Sequence, residues 1–158
     1  MIYLGIGSNL GNKILNIDKA KYYLEVYGVK IIKCSHNYET FSWPDTSKPK
    51  FVNVVLEIDT KFSLNKLLKI SKLIEMKLGR KKGPKNSPRV CDIDIISYGR
   101  KILSGTINIP HKRMHKRNFV LIPLYELDKN WSHPITNESI GKLIFSLPIN
   151  DITSIKQI

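Results

Sequence analysis

GPKNSPRVCDIDIISY, residues 83–98, is the stretch that decides the predicted fold of this chain. It begins as a proline-containing basic loop and continues as an alternating segment in which one isoleucine separates Asp92 from Asp94. Because alternate residues of an extended strand point to the same side, both carboxylates are predicted to share one face. The opposite, apolar face consists of Cys91, Ile93 and Ile95.

The two carboxylates predict a site for a divalent cation. At about 3.3 Å rise per residue the two Cα atoms lie roughly 6.6 Å apart, so the carboxylates can converge on one ion or hold two neighbouring ones. Mg²⁺ is preferred because hard oxygen ligands beside cationic side chains suit a metal–nucleotide complex. Surface acids on a solvated sheet face are the alternative. The cations just upstream, which a polyphosphate would need, are Arg80, Lys81, Lys82, Lys85 and Arg89.

Periodicity on either side of this stretch predicts an α+β fold. In the segment 51–59, Val52, Val54, Leu56 and Ile58 form an aliphatic face, and the other face carries Phe51 and Asn53. Strands at 2–7, 29–40, 51–59 and from 91 onward, with helices at 13–27 and 63–78, give a βαββαβ order. That order is ferredoxin-like, with a mainly antiparallel sheet. Both helices are expected on one sheet face, which leaves the other face free for the polar residues.

The C-terminal third is predicted to add short elements to this core. Residues 99–108 indicate a hairpin or edge element, and a basic segment follows at 109–119. Helices are predicted at 120–127 and over the pattern 140–147. Residues 1–158 are therefore expected to form a single domain.

The composition is that of an ordinary globular protein with an excess of positive charge. The formal net charge is +13, which favours an anionic partner without identifying it, and a lysine-rich coding bias explains the charge equally well. The apolar runs are too short for a membrane span, no secretory signal is apparent, and the cytoplasm is the expected compartment. Cys34 and Cys91 are expected to be buried free thiols.

Several further residues have two interpretations each. Arg89, His111 and Arg117 stand beside turns that lead into apolar elements, which favours phosphate binding over ordinary surface cations. His111, like His115, is either a phosphate or ribose contact or a surface histidine. Two phenylalanines, at 51 and 119, are either core rings or a sandwich around a flat heterocycle whose edge the Asn53 amide would read. The Gly-rich turn 7–11 is either structural or a ligand contact.

Four motifs follow one another in a recognisable order. They are Gly-Ser-Asn-Leu-Gly (7–11), Phe-Val-Asn (51–53), Pro-Arg-Val-Cys-Asp-Ile-Asp-Ile-Ile (88–96), and Pro-His (110–111) followed by Arg-Asn-Phe-Val-Leu-Ile-Pro-Leu-Tyr-Glu-Leu (117–127). Through this series nearly the whole chain resembles the 6-hydroxymethyl-7,8-dihydropterin pyrophosphokinase family (2-amino-4-hydroxy-6-hydroxymethyldihydropteridine diphosphokinase).

The resemblance implies an ATP-dependent diphosphotransferase of folate biosynthesis. The β,γ-pyrophosphoryl group of ATP would pass to the pterin hydroxymethyl oxygen, with release of AMP, and Asp92 and Asp94 would bind two Mg²⁺ ions. The implied catalytic residues are Arg80, Lys82, Arg89, Asp92 and Asp94. The implied ATP contacts are Arg80, Lys82, Arg89, His111 and Arg117. The implied pterin contacts are Thr40, Trp43, Phe51, Asn53, Asp92 and Phe119.

Some positions depart from the family pattern. Phe51 stands where a tyrosine is common, Trp43 replaces a smaller aliphatic residue, and Lys112 stands where an aromatic residue is frequent. Asn86-Ser87 replaces a usual Trp-Gly before Pro-Arg, and the loop 80–89 is one residue shorter than in some relatives, so closure of that loop is the feature least supported by the resemblance.

Two other functions compete with this one. An RNA-binding module shares the ferredoxin-like order and a basic character, but segment 51–59 has no RNP1 pattern and acids on the open face would repel RNA phosphates. An ordinary ATP-dependent kinase would release ADP. The expected partners are ATP and a dihydropterin, with no nucleic acid and no membrane, and a monomer is slightly favoured.

Overall fold

The computed structural model describes residues 1–158 and contains one six-stranded sheet with helices on both faces. In chain order the elements are β1 (Ile2–Ser8), α1 (Lys13–Val26), β2 (Lys30–Cys34), β3 (Tyr38–Thr40), β4 (Phe51–Asp59), α2 (Leu64–Lys77), β5 (Asp92–Tyr98), a 3₁₀ helix (Met114–Lys116), α3 (Asn118–Leu127), α4 (Ile140–Phe145), α5 (Ile149–Ser154) and β6 (Lys156–Gln157). No helix combines the length and the apolar composition needed to cross a membrane.

The strand order confirms the ferredoxin-like prediction. The sheet runs β5-β1-β4-β3-β6, with β2 also beside β4, and every pairing is antiparallel. β1 lies in the centre between β4 and β5. Gly7 of β1 therefore pairs with Asn53 on one side and with Asp92 on the other. This register brings the Phe-Val-Asn motif (51–53) and the carboxylate pair side by side.

The predicted single strand 29–40 is interrupted, so that prediction is wrong at residues 35–37. Cys34 pairs with Leu56 and Tyr38 with Asn53, so four steps along one strand oppose three along β4, which defines a bulge. Ser35 explains it: its hydroxyl oxygen accepts a hydrogen bond from the Val55 N–H at 2.9 Å. The side chain thus takes a ladder position that a backbone carbonyl would otherwise fill.

The apolar cluster between the sheet and helices α1 and α2, here called the first core, confirms the predicted aliphatic face of β4. Val52, Val54, Leu56 and Ile58 are all buried and belong to one apolar cluster with residues of β1, β5, α1 and α2. Ser63 caps α2 as predicted, because its hydroxyl accepts from the Lys66 N–H at 3.3 Å. A positive φ of 96° at Gly79 accompanies the end of this helix.

The opposite sheet face is only half free, which corrects the prediction that it is open. Tyr3 of β1, Val55 of β4 and Ile96 of β5 are buried under the C-terminal segments in a second apolar cluster. The members of this cluster that come from the cover are Met114, Val120, Leu121, Leu124, Trp131, Ile140, Leu143 and Leu147. The half that stays open is the end where Gly7, Asn53 and Asp92 lie.

The C-terminal third also differs in detail from the prediction. Residues 99–108 form no strand; a single isolated bridge joins Leu103 to Ile109. The 3₁₀ helix, α5 and β6 were not predicted, because each has fewer than seven residues and no clear period. Cys91 is buried as expected, whereas Cys34 is exposed on the edge side of β2, and both thiols are free.

Glu126 of α3 fastens the C-terminal layer to β3 and gives a pH-dependent stability. Its carboxylate accepts hydrogen bonds from the Tyr38 hydroxyl and from His36 Nδ1, both at 2.7 Å. Partial burial raises the pKa of Glu126, but these hydrogen bonds outweigh it and the pKa lies below its usual value. A depressed pKa contributes stability above the pKa of the unfolded chain, and that stability is lost as the pH falls through the folded pKa.

We therefore expect Glu126→Gln to lower the free energy of unfolding by about 1–2 kcal/mol at pH 7, because charge-assisted hydrogen bonds are lost. The difference from wild type should shrink as the pH falls from 6 to 3. Urea unfolding at several pH values measures this, with Glu25→Gln as a control because Glu25 is exposed on α1. A difference that does not change with pH would contradict the assignment.

Candidate active site

The open half of the second sheet face is the floor of a cavity of about 260 Å³. Its walls come from β1, β4 and β5, from the loop 41–50, from the basic loop 80–89 and from the segment 109–120. The lining residues are Gly5, Ile6, Gly7, Ser42, Trp43, Phe51, Asn53, Val54, Lys72, Arg80, Asn86, Arg89, Asp92, Asp94, Ile96, His111, Arg113, Arg117, Phe119 and Val120. Acids, cations and aromatic rings thus line one cavity.

Asp92 lies between two arginines of the basic loop. Arg80 Nη1 is 2.7 Å from Asp92 Oδ1, and Arg89 Nη1 is 3.2 Å from Asp92 Oδ2. Burial opposes the charge on Arg80, but Asp92 and Glu75 outweigh it and raise the pKa of that guanidinium. Arg80 therefore carries charge at any physiological pH. Both arginines stand at the position where a phosphate would meet the carboxylate.

Asp94 faces the second basic segment. Arg117 Nη1 is 3.4 Å from Asp94 Oδ2, and His111 Nε2 is 3.8 Å from the same oxygen. Burial, and then the neighbouring charge of Asp92, raise the pKa of Asp94 despite the attraction of His111 and Arg117. Like charges at Asp92 and Asp94 are costly unless a cation joins them.

His111 is oriented by its own backbone neighbourhood. Its Nδ1 accepts a hydrogen bond from the Arg113 N–H at 3.2 Å, which directs Nε2 into the cavity. Burial lowers the pKa of His111, although Asp94 opposes the shift. A neutral imidazole with its proton on Nε2 is a hydrogen-bond donor toward the cavity.

Glu75 of α2 is a buried carboxylate that sequence reasoning missed. It accepts a hydrogen bond from the Ile93 N–H at 2.7 Å and pairs with Arg80 at 3.0 Å and with Lys72 at 3.1 Å. The Ile93 N–H belongs to the outer edge of β5, where no further strand is paired. Glu75 therefore satisfies this edge and holds Arg80 against Asp92. A single glutamate among helix residues carries no sequence signal for this role.

The Gly-Ser-Asn-Leu-Gly turn acts structurally through Asn9. Its Oδ1 accepts a hydrogen bond from the Arg89 N–H at 2.8 Å, and its Nδ2 donates to the Pro49 carbonyl at 3.1 Å. The Asn9 N–H also donates to the Arg89 carbonyl at 3.1 Å. Asn9 is 2% exposed, and it joins the two loops that flank the cavity.

Asn9→Ala should therefore destabilise the protein by about 1–3 kcal/mol, because buried polar groups lose their partners. The same change should weaken the binding of inorganic tripolyphosphate, since the Arg89 backbone loses its hydrogen bond to the Asn9 side chain. Urea unfolding and calorimetric titration measure the two effects. Asn130→Ala is the matched control, because Asn130 is exposed and its side chain makes no hydrogen bond. An unchanged free energy of unfolding in Asn9→Ala would show that the hydrogen bonds of the Asn9 side chain do not stabilise the two loops.

The aromatic end of the cavity is built around Asn53. Phe51 and Phe119 both line the cavity. Asn53 Nδ2 donates to Thr40 Oγ1 at 2.9 Å, so the amide orientation is set by a buried hydroxyl. A Cβ at Gly7 would lie 2.7 Å from Asn53 Oδ1 and 3.3 Å from Phe51 Cδ1, so the close approach of β1 to these side chains requires glycine.

The cavity is lined by all but two of the residues that the family resemblance implies for the site; the exceptions are Thr40 and Lys82. Thr40 is 2% exposed and reaches the cavity only through Asn53. Lys82 is exposed and lines an adjoining cationic cleft of about 650 Å³, which also contains Arg80 and Arg89. Lys72 and Arg113 are cavity residues that were not predicted, because lysine and arginine are frequent in this chain and their positions depend on tertiary packing.

The chemistry of the donor set suits Mg²⁺ that arrives with a phosphate ligand. No cluster of three or more His, Cys, Asp or Glu side chains is present that could enclose a metal ion. Asp92 and Asp94 supply hard carboxylate oxygens on one face, and Mg²⁺ is commonly held by one or two carboxylates with substrate phosphates and waters. The cationic walls would then contact the remaining phosphate oxygens. The fold and the site together define a ferredoxin-like α+β domain with a cavity in which two carboxylates face cations suited to phosphate groups.

Comparison with known proteins identifies the family within that class. The profile described as 7,8-dihydro-6-hydroxymethylpterin-pyrophosphokinase (HPPK) matches residues 3–129. The Aquifex aeolicus 2-amino-4-hydroxy-6-hydroxymethyldihydropteridine pyrophosphokinase is 38% identical over 135 residues, which are 85% of this chain and 84% of that protein. The protein of the same name from Methylorubrum extorquens is 36% identical over 127 residues, covering 79% and 80%. The chain therefore belongs to the HPPK family.

Longer relatives contain the same region as one part. The Pneumocystis carinii folic acid synthesis protein fol1 is 38% identical over 152 residues, which are 96% of this chain but 20% of that protein. Among solved structures, wild-type Plasmodium falciparum HPPK-DHPS with SDX-DHP has a TM-score of 0.73 at 16% identity and covers 99% of this chain and 47% of that chain. That likeness supports the fold. The chain spans about a fifth of the fol1 relative and about half of the HPPK-DHPS chain.

Proposed function

We propose that this chain transfers the β,γ-pyrophosphoryl group of ATP to the hydroxymethyl oxygen of 6-hydroxymethyl-7,8-dihydropterin, a step of tetrahydrofolate biosynthesis. One observation carries the proposal: a single cavity places Phe51, Phe119 and the oriented Asn53 amide beside the Asp92 and Asp94 pair. A flat heterocycle would stack between the rings, with its edge on the amide. Its hydroxymethyl group would then point toward the carboxylates.

The bond changes follow from the substrates. The hydroxymethyl oxygen forms a bond to the β-phosphorus while the bond from that phosphorus to the α,β-bridging oxygen breaks, so AMP leaves with the bridging oxygen and the hydroxyl proton passes to water. Such phosphoryl transfer needs positioning and charge neutralisation more than a strong base. The residues proposed for this role are Arg80, Lys82, Arg89, Asp92 and Asp94, with His111 and Arg117 on the phosphates of ATP.

Two Mg²⁺ ions on Asp92 and Asp94 belong to the same proposal. The metal, when bound, would neutralise the phosphate oxygens and polarise the phosphorus under attack. The chain's own part is to present two carboxylates on one strand face. Arg80 and Arg89, which pair with Asp92 in the free protein, would become available to phosphate oxygens once a metal replaced them at the carboxylate.

The proposal extends to the domain organisation, the compartment and the oligomeric state. We take the chain as a single pyrophosphokinase domain that uses ATP and a dihydropterin, acts in the cytoplasm and requires neither nucleic acid nor membrane, with a monomer slightly favoured. The RNA-binding alternative finds no support, because the chain belongs to the HPPK family and Asp92 and Asp94 lie on the sheet face that RNA would contact.

Nucleotide analysis after incubation tests the reaction directly. The protein is mixed with ATP, Mg²⁺ and 6-hydroxymethyl-7,8-dihydropterin, and the nucleotides are separated by chromatography. AMP is expected only in the mixture with the pterin, in equal amount to the pterin diphosphate. ADP as the product would favour an ordinary kinase, and the absence of turnover with folded protein would overturn the proposal.

A further inference from the structure

Trp43 lies beside two cationic residues that line the cavity with it. The Cζ atoms of Arg113 and Arg117 are each 5.5 Å from the centre of a Trp43 ring. Arg117 Cζ is also 5.3 Å from the centre of the Phe119 ring. The guanidinium of Arg117 is therefore in contact distance of two aromatic rings, and that of Arg113 of one.

The two arginines have few other partners. The Arg113 side chain makes no hydrogen bond and no salt bridge with the rest of the protein. Only its backbone is hydrogen-bonded: its N–H donates to His111 Nδ1, and its carbonyl accepts from the Lys116 N–H. Arg117 makes one long contact of 3.4 Å to Asp94, and its buried Nε has no hydrogen-bond partner. Aromatic contact is thus the main interaction that holds these guanidinium groups in place.

This arrangement leaves donor groups available toward the cavity. A guanidinium has five N–H donors, and stacking on a ring uses the flat face of the group and not its N–H edge. Both arginines line the cavity beside Asp94. Their free edges therefore suit the oxygens of a polyphosphate.

We infer that the indole of Trp43 is a positioning residue that holds Arg113 and Arg117 ready for the phosphate groups of the nucleotide. The inference relies on the proposed function only for the identity of the nucleotide as ATP. The binding of phosphate groups by the two arginines does not depend on that function. It assigns the Trp43 side chain to the phosphate end of the site. It also adds Arg113 to the phosphate-binding residues.

The contrast between Trp43→Phe and Trp43→Leu tests this role. Loss of the ring should raise KM for ATP by roughly fivefold to thirtyfold, in line with one or two cation–π contacts, and leave kcat within about threefold. The phenylalanine variant keeps an aromatic face and should recover most of the wild-type KM. KM for the dihydropterin should change less than threefold in both variants. A rise in the pterin KM with an unchanged ATP KM would overturn the inference and place the indole against the pterin.

Binding of inorganic tripolyphosphate with Mg²⁺, measured by calorimetry, separates this inference from the proposed reaction. The leucine variant should bind tripolyphosphate more weakly than wild type by the same factor, even if no AMP is ever formed. Equal affinities in wild type, Trp43→Phe and Trp43→Leu would refute the inference. Tyr23→Leu is the matched control, since it removes a ring that lies 4.9 Å from Lys77 Nζ outside the cavity, and its tripolyphosphate affinity should equal that of wild type.

Discussion

Asp94→Asn should lower kcat by about 10²- to 10³-fold, because it removes one of the two carboxylates proposed to hold the Mg²⁺ that would neutralise the phosphate oxygens. The amide keeps the size and one oxygen of the carboxylate, so the cavity should keep its shape. It loses the negative charge that is proposed to attract Mg²⁺. Rapid-quench measurement of AMP formation, over a range of Mg²⁺ concentrations, gives the effect on the chemical step.

Asp94→Asn is expected to lower kcat without lowering the free energy of unfolding. Burial raises the pKa of Asp94, so this group adds stability at low pH and costs stability once the pH rises through the folded pKa. Removing the charge should therefore not lower the free energy of unfolding at pH 7, as far as this titration contributes. Asp59→Asn is the control, because Asp59 is an exposed aspartate at the end of β4. Turnover of Asp94→Asn within tenfold of wild type, with Mg²⁺ still required, would remove Asp94 from the metal site.

Gly7→Ala should raise KM for the dihydropterin by at least about tenfold, which corresponds to the loss of about 1.4 kcal/mol of binding. The added methyl group would stand 2.7 Å from Asn53 Oδ1 and 3.3 Å from the Phe51 ring. Asn53 cannot move aside freely, because it is 6% exposed and bonded to Thr40. The amide and the ring would therefore shift, and both are proposed to contact the pterin.

A second glycine provides the comparison for this substitution. A Cβ at Gly141 of α4 would meet no atom within 4 Å, so Gly141→Ala should leave KM and kcat unchanged. Stopped assays at several pterin concentrations give the constants, and calorimetry with ATP tests the phosphate end. Gly7→Ala should leave ATP affinity within about threefold, since the clash lies at the aromatic end. Wild-type pterin KM in Gly7→Ala would show that Asn53 has no part in pterin recognition.

Much of the first core could be predicted from the spacing of apolar residues along the chain. The two faces of β4 follow from alternation, since a buried strand with helices on one side must place its aliphatic residues on that side. The same rule placed Asp92 and Asp94 together and opposite Cys91 and Ile93. These inferences succeeded because they need only the neighbours of each residue along the chain.

Other features depended on contacts between distant segments. The bulge at Ser35 arises because the Ser35 hydroxyl replaces a backbone carbonyl as the acceptor for the Val55 N–H. A serine within a segment of high β-propensity does not by itself predict a bulge. Glu75 reaches the edge of β5, Asn9 reaches Arg89, and Arg113 reaches Trp43. Each pair is far apart in sequence, so no local pattern records it.

The sequence by itself determined the βαββαβ order of the core, the two-faced strands and the pairing of two carboxylates with a basic loop. Local sterics and the period of side chains suffice for those features. The tertiary structure alone decided which half of the second sheet face stays open, because the C-terminal cover buries Tyr3, Val55 and Ile96 and stops short of Gly7. It also decided which of the many lysines and arginines face the cavity, since charge is common on this chain and only packing selects among the cations.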